Sequence, residues 1–330
     1  MAYQKSPKNC PLCGEKADFK FIQDFKRLND TFSLYECSKC HAQFWIPFKN
    51  PGEPFYETQF RITILDRIRR GRGLSWWHKE CIKFLREMNI RKGRVLDIGC
   101  GTGEFLYSVQ KLGLEAWGVD FDGNAVKIAK NFYNLKKIFK NSWKDFSQRK
   151  DLPKFNIITF FEVLEHLDDI PEFLRFVVRI ASPDAYVIFS TPNRSRKALA
   201  ADPSDDFPPT HLTRWDYDSL FKVFNIYGIK IVNEIYGGDI DHYIGTYFRF
   251  NIGRKIDILS QDLKQNRNKL LFFFSRLFQC FVSSNFYYNL AKAKNILFTP
   301  VAWCLSKFKK NTLKQKEKPY FLLIGKVRKQ

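Results

Sequence analysis

Arg94-Val95-Leu96-Asp97-Ile98-Gly99-Cys100-Gly101-Thr102-Gly103-Glu104-Phe105-Leu106 is the stretch on which the reading of this chain turns. An apolar strand runs into a glycine-rich turn, and the turn runs into a helix. Glycine takes positive φ without penalty and lets a backbone approach a ligand closely. The amides at a helix start then face whatever sits in the turn. A dinucleotide fingerprint needs Gly-x-Gly-x-x-Gly. Here the glycines are Gly99, Gly101 and Gly103, so the third comes one place early and Glu104 stands in its position. Asp97 lies two residues before the first glycine. The spacing disfavours a pyridine dinucleotide.

Working outward, Ala116-Trp117-Gly118-Val119-Asp120 reads as a second strand whose terminal acid lies 23 residues after Asp97. A carboxylate there can accept both hydroxyls of a ribose, as in doubly wound folds generally. A third strand is expected at Lys137 to Phe139, leading to Ser142 and Trp143, and a fourth at Phe155 to Phe160. The fourth ends in Phe161-Glu162-Val163-Leu164-Glu165-His166-Leu167, after which a helix starts near Asp168 or Asp169 with Pro171 in its first turn. A fifth strand, Ala185 to Ser190, closes on Thr191-Pro192-Asn193. Ile229 to Val232 and Tyr320 to Lys326 supply two more. Upstream, Trp77, Cys81, Leu85 and Met88 recur at helical spacing. Alternating strands and helices on this scale give an α/β fold, with helices on both faces of a parallel sheet.

In these motifs the chain resembles the class I S-adenosylmethionine (SAM)-dependent methyltransferases. The residues that carry the resemblance are Asp97 to Gly103, Gly118-Val119-Asp120, Glu162 to His166 and Ser190 to Asn193. It covers roughly residues 75–235, with Ser182-Pro183-Asp184 standing where the family usually has a glycine turn. Within the family it looks closest to the branch acting on small molecules, lipids and glycan precursors. The resemblance implies a doubly wound, mostly parallel seven-stranded sheet, Rossmann-like, with SAM as cofactor. It also implies roles. Asp97, Gly99, Cys100, Gly101 and Gly103 would hold the methionine part, and Asp120 the ribose. Phe121 would pack on adenine, Ser142 and Trp143 would flank it, and Phe161 and Glu162 would line the sulfonium end. Bland readings stand beside these: Trp143 as core, and Glu162 and Glu165 as acids in the first turn of a helix.

Methyl transfer is an in-line displacement, so the protein mainly positions and desolvates, and a base is needed only if the acceptor must lose a proton. Of five histidines, His211 and His166 are the candidates. His211 lies in Pro208-Pro209-Thr210-His211-Leu212-Thr213-Arg214-Trp215, a loop before a helix expected from about Asp216, and His166 follows the fourth strand. Loops at the carboxyl edge of such sheets build acceptor pockets, and imidazole titrates near neutral pH. The alternative for both is a structural imidazole bonded to a backbone carbonyl. The loop Ala198 to Pro209 reads as either a lid or a plain solvated loop.

Two knuckles, Cys10-Pro11-Leu12-Cys13 and Cys37-Ser38-Lys39-Cys40, stand ahead of this module. Each lets two thiolates face one tetrahedral ion, and together they complete a closed four-sulfur structural zinc site. The stretch between them reads as short strands around a turn at Asn29-Asp30, a zinc-ribbon pattern. Rubredoxin-like iron shares the spacing, and Cys37-x-x-Cys40-His41 formally matches a haem attachment that would leave the first pair unexplained.

The organisation expected is a zinc ribbon over 1–50, a linker over 51–74, the methyltransferase core over 75–250, a basic, aromatic, mostly helical insertion over 251–318, and a final strand and tail over 319–330. The 330 residues carry 55 Lys+Arg against 34 Asp+Glu, a net of +21. From Asn251 onward there are 17 basic and 3 acidic residues, so that segment holds +14 of the total. Such charge attracts anions. Residues 262–316 suit a surface-lying element with aromatics in a membrane interface and lysines toward anionic headgroups. A helical lid or a homodimer interface fits them equally. No window there reaches the roughly 20 uninterrupted apolar residues of a spanning helix. The polar N-terminus is no signal peptide, which leaves a reducing cytoplasm, or the inner face of the membrane, as the expected location. The acceptor expected is a small, glycan-precursor or lipid-linked molecule methylated on oxygen, ahead of carbon or nitrogen. RNA and a non-catalytic SAM-binding scaffold are the competing readings.

Overall fold

The computed structural model describes residues 7–27, 30–56, 73–195, 207–237 and 320–328, all of which fall in one compact unit. The insertion expected at 251–318, with its 262–316 stretch, lies outside the described residues, as do 57–72 of the linker and 198–206 of the expected lid.

Seven strands form the main sheet: β4 (Arg94–Ile98), β5 (Glu115–Asp120), β6 (Lys137–Lys140), β7 (Phe155–Phe161), β8 (Ala181–Pro192), β10 (Ile229–Gly237) and β11 (Tyr320–Val327). Their order is β10-β11-β8-β7-β4-β5-β6. β4 to β8 pair in parallel, while β11 runs antiparallel to both its neighbours. The apolar runs are continuous because both faces are covered. β8 starts four residues earlier than the apolar run suggests. Asp184 takes a φ of 59°, the left-handed conformation a glycine would give, and the strand resumes pairing beyond that irregularity.

The helices are α1 (Trp76–Glu87), α2 (Glu104–Lys111), α3 (Gly123–Asn131), α4 (Trp143–Ser147), α5 (Ile170–Ile180) and α6 (Tyr217–Ile226). Side-chain oxygens of Asp122, Ser142, Asp169 and Asp216 cap α3, α4, α5 and α6 by accepting amides of the first turn. α1 buries Cys81, Ile82 and Leu85, whereas Met88 lies past its end and is half exposed. The core between sheet and helices is built from stacked rings: Phe189 sits 5.0 Å from Phe160 and 4.3 Å from Phe224. Large buried aromatics each remove 150–250 Å² from water, roughly 2–3 kcal/mol apiece.

A second sheet, ordered β1-β2-β3-β9, contains the ribbon. β1 (Phe19–Arg27), β2 (Asp30–Cys37) and β3 (Gln43–Ile46) are antiparallel, and β9 (Thr213–Arg214), which follows β8 in the chain, completes the sheet. Among the described residues no helix is long and apolar enough to cross a membrane.

Candidate active site and metal centre

β4 has β5 on one side and β7 on the other, so their carboxyl ends open a crevice at the point where the strand order reverses. The turn after β4 builds one wall. Gly99, Gly101 and Gly103 all have positive φ (79°, 53° and 87°). A Cβ on Gly99 would lie 2.6 Å from Val163 Cγ2, and one on Gly103 would lie 2.8 Å from Leu135 Cδ1. Those two glycines serve packing. A Cβ on Gly101 would meet nothing within 4 Å, so this bare stretch of backbone borders open space.

Asp120, at the end of β5, lies against this turn. Its Oδ2 accepts the Gly101 amide at 2.8 Å and its Oδ1 accepts the Asp122 amide at 2.8 Å. Each oxygen keeps a second lone pair. Burial raises the Asp120 carboxyl to about 6, although these two amide donors pull the other way. Asp97 is buried on β4 and accepts a 2.6 Å hydrogen bond from Thr159 Oγ1. Burial pushes it up to about 8, with Thr159 opposing and Asp120 adding to the rise. Two carboxyls with elevated proton affinity in one crevice suit a cationic, hydroxyl-bearing ligand.

The other expected cofactor residues gather at the same carboxyl edge or close to it. Cys100 is buried beneath the turn, and Phe121 follows Asp120 directly. Phe161 is buried at the end of β7 with its ring 4.9 Å from His78 and 5.1 Å from Phe105. Glu162 takes a φ of 55°, an unusual conformation for a non-glycine residue, and its Oε1 accepts Ser190 Oγ at 2.7 Å. Ser142 Oγ caps α4, and the half-buried Trp143 ring rests 5.2 Å from Phe173 on α5.

The two candidate histidines meet. His166, in a short 3₁₀ turn at Leu164–His166, and His211 have ring centroids 4.7 Å apart. His166 Nδ1 lies 2.7 Å from the Thr210 carbonyl, which only accepts, so Nδ1 carries the proton. Burial and the neighbouring His211 push His166 down to about 3, so its ring is neutral at physiological pH. Behind them Glu165 is buried and accepts Thr191 Oγ1 at 3.0 Å. Suitable ligand atoms of Glu165, His166 and His211 all lie within 4.8 Å of one another.

Tyr56 sits over this group and nothing in its sequence surroundings marks it. Its ring is 5.3 Å from His166 and 6.1 Å from Phe121, and its hydroxyl donates to the Thr210 carbonyl at 3.2 Å. Asn50 anchors the segment that carries it, through its amide to Asp168 Oδ2 (3.1 Å) and its Nδ2 to the His166 carbonyl (2.7 Å).

Cys10, Cys13, Cys37 and Cys40 are buried with all four sulfurs within 4.8 Å of one another. Cys10 and Cys40 sulfurs lie 3.9 Å apart, far beyond a disulfide. A tetrahedral zinc with bonds of about 2.3 Å sets its sulfurs about 3.8 Å apart. The Leu12 and Lys39 amides each donate to a knuckle sulfur, Cys10 and Cys37 respectively, at 3.4 Å. The donor set fits a closed four-thiolate ion, with no coordination position left for chemistry.

Residues 73–234 match the family described as "Methyltransferase domain". A curated relative, the ubiquinone biosynthesis O-methyltransferase of Coxiella burnetii (strain RSA 493), is 29% identical over 197 residues, covering 54% of this chain and 79% of that protein. The protein of the same description from Alkalilimnicola ehrlichii is 30% identical over 109 residues, 32% of this chain and 44% of its own length. Among solved structures, the magnesium protoporphyrin IX methyltransferase of Synechocystis PCC 6803 with bound SAH covers 57% of this chain and 94% of its own, with a TM-score of 0.45 and 18% identity.

Proposed function

With residues 73–234 forming a class I SAM-dependent methyltransferase domain, we propose that this chain moves the SAM methyl group to an oxygen of a small, glycan-precursor or lipid-linked acceptor. The observation that carries the reading is the bare backbone at Gly101, bordering open space and hydrogen-bonded to the Asp120 carboxylate beside it at the carboxyl end of the sheet. The O-methyltransferase description of the curated relatives supports oxygen over carbon or nitrogen.

In this reading the remaining lone pairs of Asp120 accept the ribose hydroxyls, and Asp97, Gly99, Cys100, Gly101 and Gly103 hold the methionine part. Phe121 packs on adenine, Ser142 and Trp143 flank it, and Phe161 and Glu162 shape the wall near the reacting carbon. When bound, SAM supplies a methyl group on a positively charged sulfur, which makes the carbon electrophilic. His211 takes the acceptor's proton. His166 is too weak a base at neutral pH to share that role, and its neutral Nδ1–H instead holds the Thr210 carbonyl beside His211. Zinc at the four cysteines is structural.

The test is transfer of labelled methyl from SAM to fractions of cell extract, extracted separately for lipid, glycan and RNA. Label in a lipid, glycan or small-molecule fraction, falling at least ~100-fold in His211→Ala, is the expected result. Label only in RNA, or SAM binding with no transfer in any fraction, overturns the reading.

A further inference from the structure

The four-cysteine module could be a detachable accessory, but the hydrogen bonds place it elsewhere in the mechanism. The segment that carries His211 is held on one side by the core and on the other by the ribbon. The Leu212 amide donates to the Glu165 carbonyl at 2.8 Å, while the Leu212 carbonyl accepts the Trp45 amide from β3 at 3.0 Å. The next two residues, Thr213 and Arg214, pair with Phe44 and Gln43 as the fourth strand of the ribbon sheet. On the other flank, Phe207 stacks on Phe25 of β1 at 4.6 Å and meets Trp45 edge-on at 5.3 Å. Arg194, the residue after Asn193, ties the far end: it donates to the His41 carbonyl at 2.6 Å and pairs with Asp216 at 2.5 Å. β3 starts three residues after Cys40, so the knuckle that holds the metal also sets the strand that holds Leu212.

We propose that the ribbon is a positioning element of the acceptor side of the site: by taking β9 into its sheet it fixes His211 against His166 and Glu165, while the cofactor crevice stands without it. The assignment of His211 rests on the function proposed above. The physical argument is one of ownership of backbone bonds. A two-residue strand has no stability of its own, so Thr213 and Arg214 keep their extended pairing only as far as β3 does, and His211 beside them loses its ribbon-side support with it. A module of this size gains its folding energy from metal. Among the described residues, none of the hydrogen bonds that order the turn from Gly99 to Gly103 or Asp120 comes from the ribbon.

The test uses the full-length chain, metal-loaded and after removal of metal by a chelator, with two readouts. Amide hydrogen exchange follows residues 207–216 and 99–122, and calorimetry follows SAM. The expected result is exchange at 207–216 at least ten times faster after metal removal, with 99–122 and SAM affinity unchanged within threefold. Phe207→Ala guards against general unfolding of the ribbon. It should keep its metal and its SAM affinity and still speed exchange across 208–214. Unchanged exchange at 207–216 in the stripped protein, or equal loosening of 99–122, overturns the proposal. Failure of the wild-type protein to bind SAM overturns the functional reading and leaves the exchange result to decide the structural one.

Discussion

Asp97 and Asp120 set opposite demands on the protein with and without its ligand. Asp97 has a folded value of about 8 against an ordinary 3.8, and Asp120 about 6. The folded state therefore binds more protons than the unfolded chain between pH 4 and 8. The stability these groups contribute is complete below about pH 4 and is lost as pH rises toward 8. The unliganded melting temperature should fall over that window, and Asp97→Asn should flatten the fall. A ligand needing ionised acceptors binds with the reverse trend, so SAM affinity should rise, by about tenfold or more, from pH 6 to 8. Melts and titrations across that range check both signs, and a melting temperature that rises with pH contradicts the assignment. These acids were legible in the sequence because each lies at the carboxyl end of an apolar strand, two residues from a glycine. Tyr56 was not. It follows a proline-rich stretch with no periodicity, and its partners at 121, 166 and 210 are long-range contacts. The meeting of His166 with His211 was hidden for the same reason: each was named as a candidate alone, and the rings that meet at 4.7 Å are a long-range contact.

At the scale of elements, the glycine turn separates binding from packing. Gly99→Ala should destabilise by about 1–3 kcal/mol, because its Cβ would lie 2.6 Å from Val163 Cγ2 and its φ is 79°. Gly101→Ala should cost only about 1 kcal/mol, from its φ of 53°, since nothing lies within 4 Å of the new carbon. It should nevertheless weaken SAM binding more than Gly99→Ala weakens it relative to the lost stability. Chemical denaturation and calorimetry on both variants separate the two effects. The main strands were readable from apolar runs between caps and turns, and the ends missed them by a few residues where a bulge intervened, as at Asp184. β9 had no such signal, for a two-residue strand borrowed by another sheet carries no period to detect.

For the whole molecule, the Cys-x-x-Cys pairs were legible because tetrahedral thiolate geometry imposes their spacing, and the four sulfurs do converge. That the ribbon sheet would recruit a strand from the catalytic module was not, because nothing local announces it. Purified protein should hold about one zinc per chain by elemental analysis, and chelation should lower the melting temperature by several degrees; an iron spectrum contradicts this. What binds beside Gly101 and Asp120 decides the function. Titration of SAM into the full chain and into Asp120→Ala measures that directly. One SAM per chain with micromolar affinity, weakened at least ~100-fold (about 2.7 kcal/mol) in a variant that melts as wild type does, is the predicted result. No heat with the wild type, or equal affinity in the variant, contradicts it.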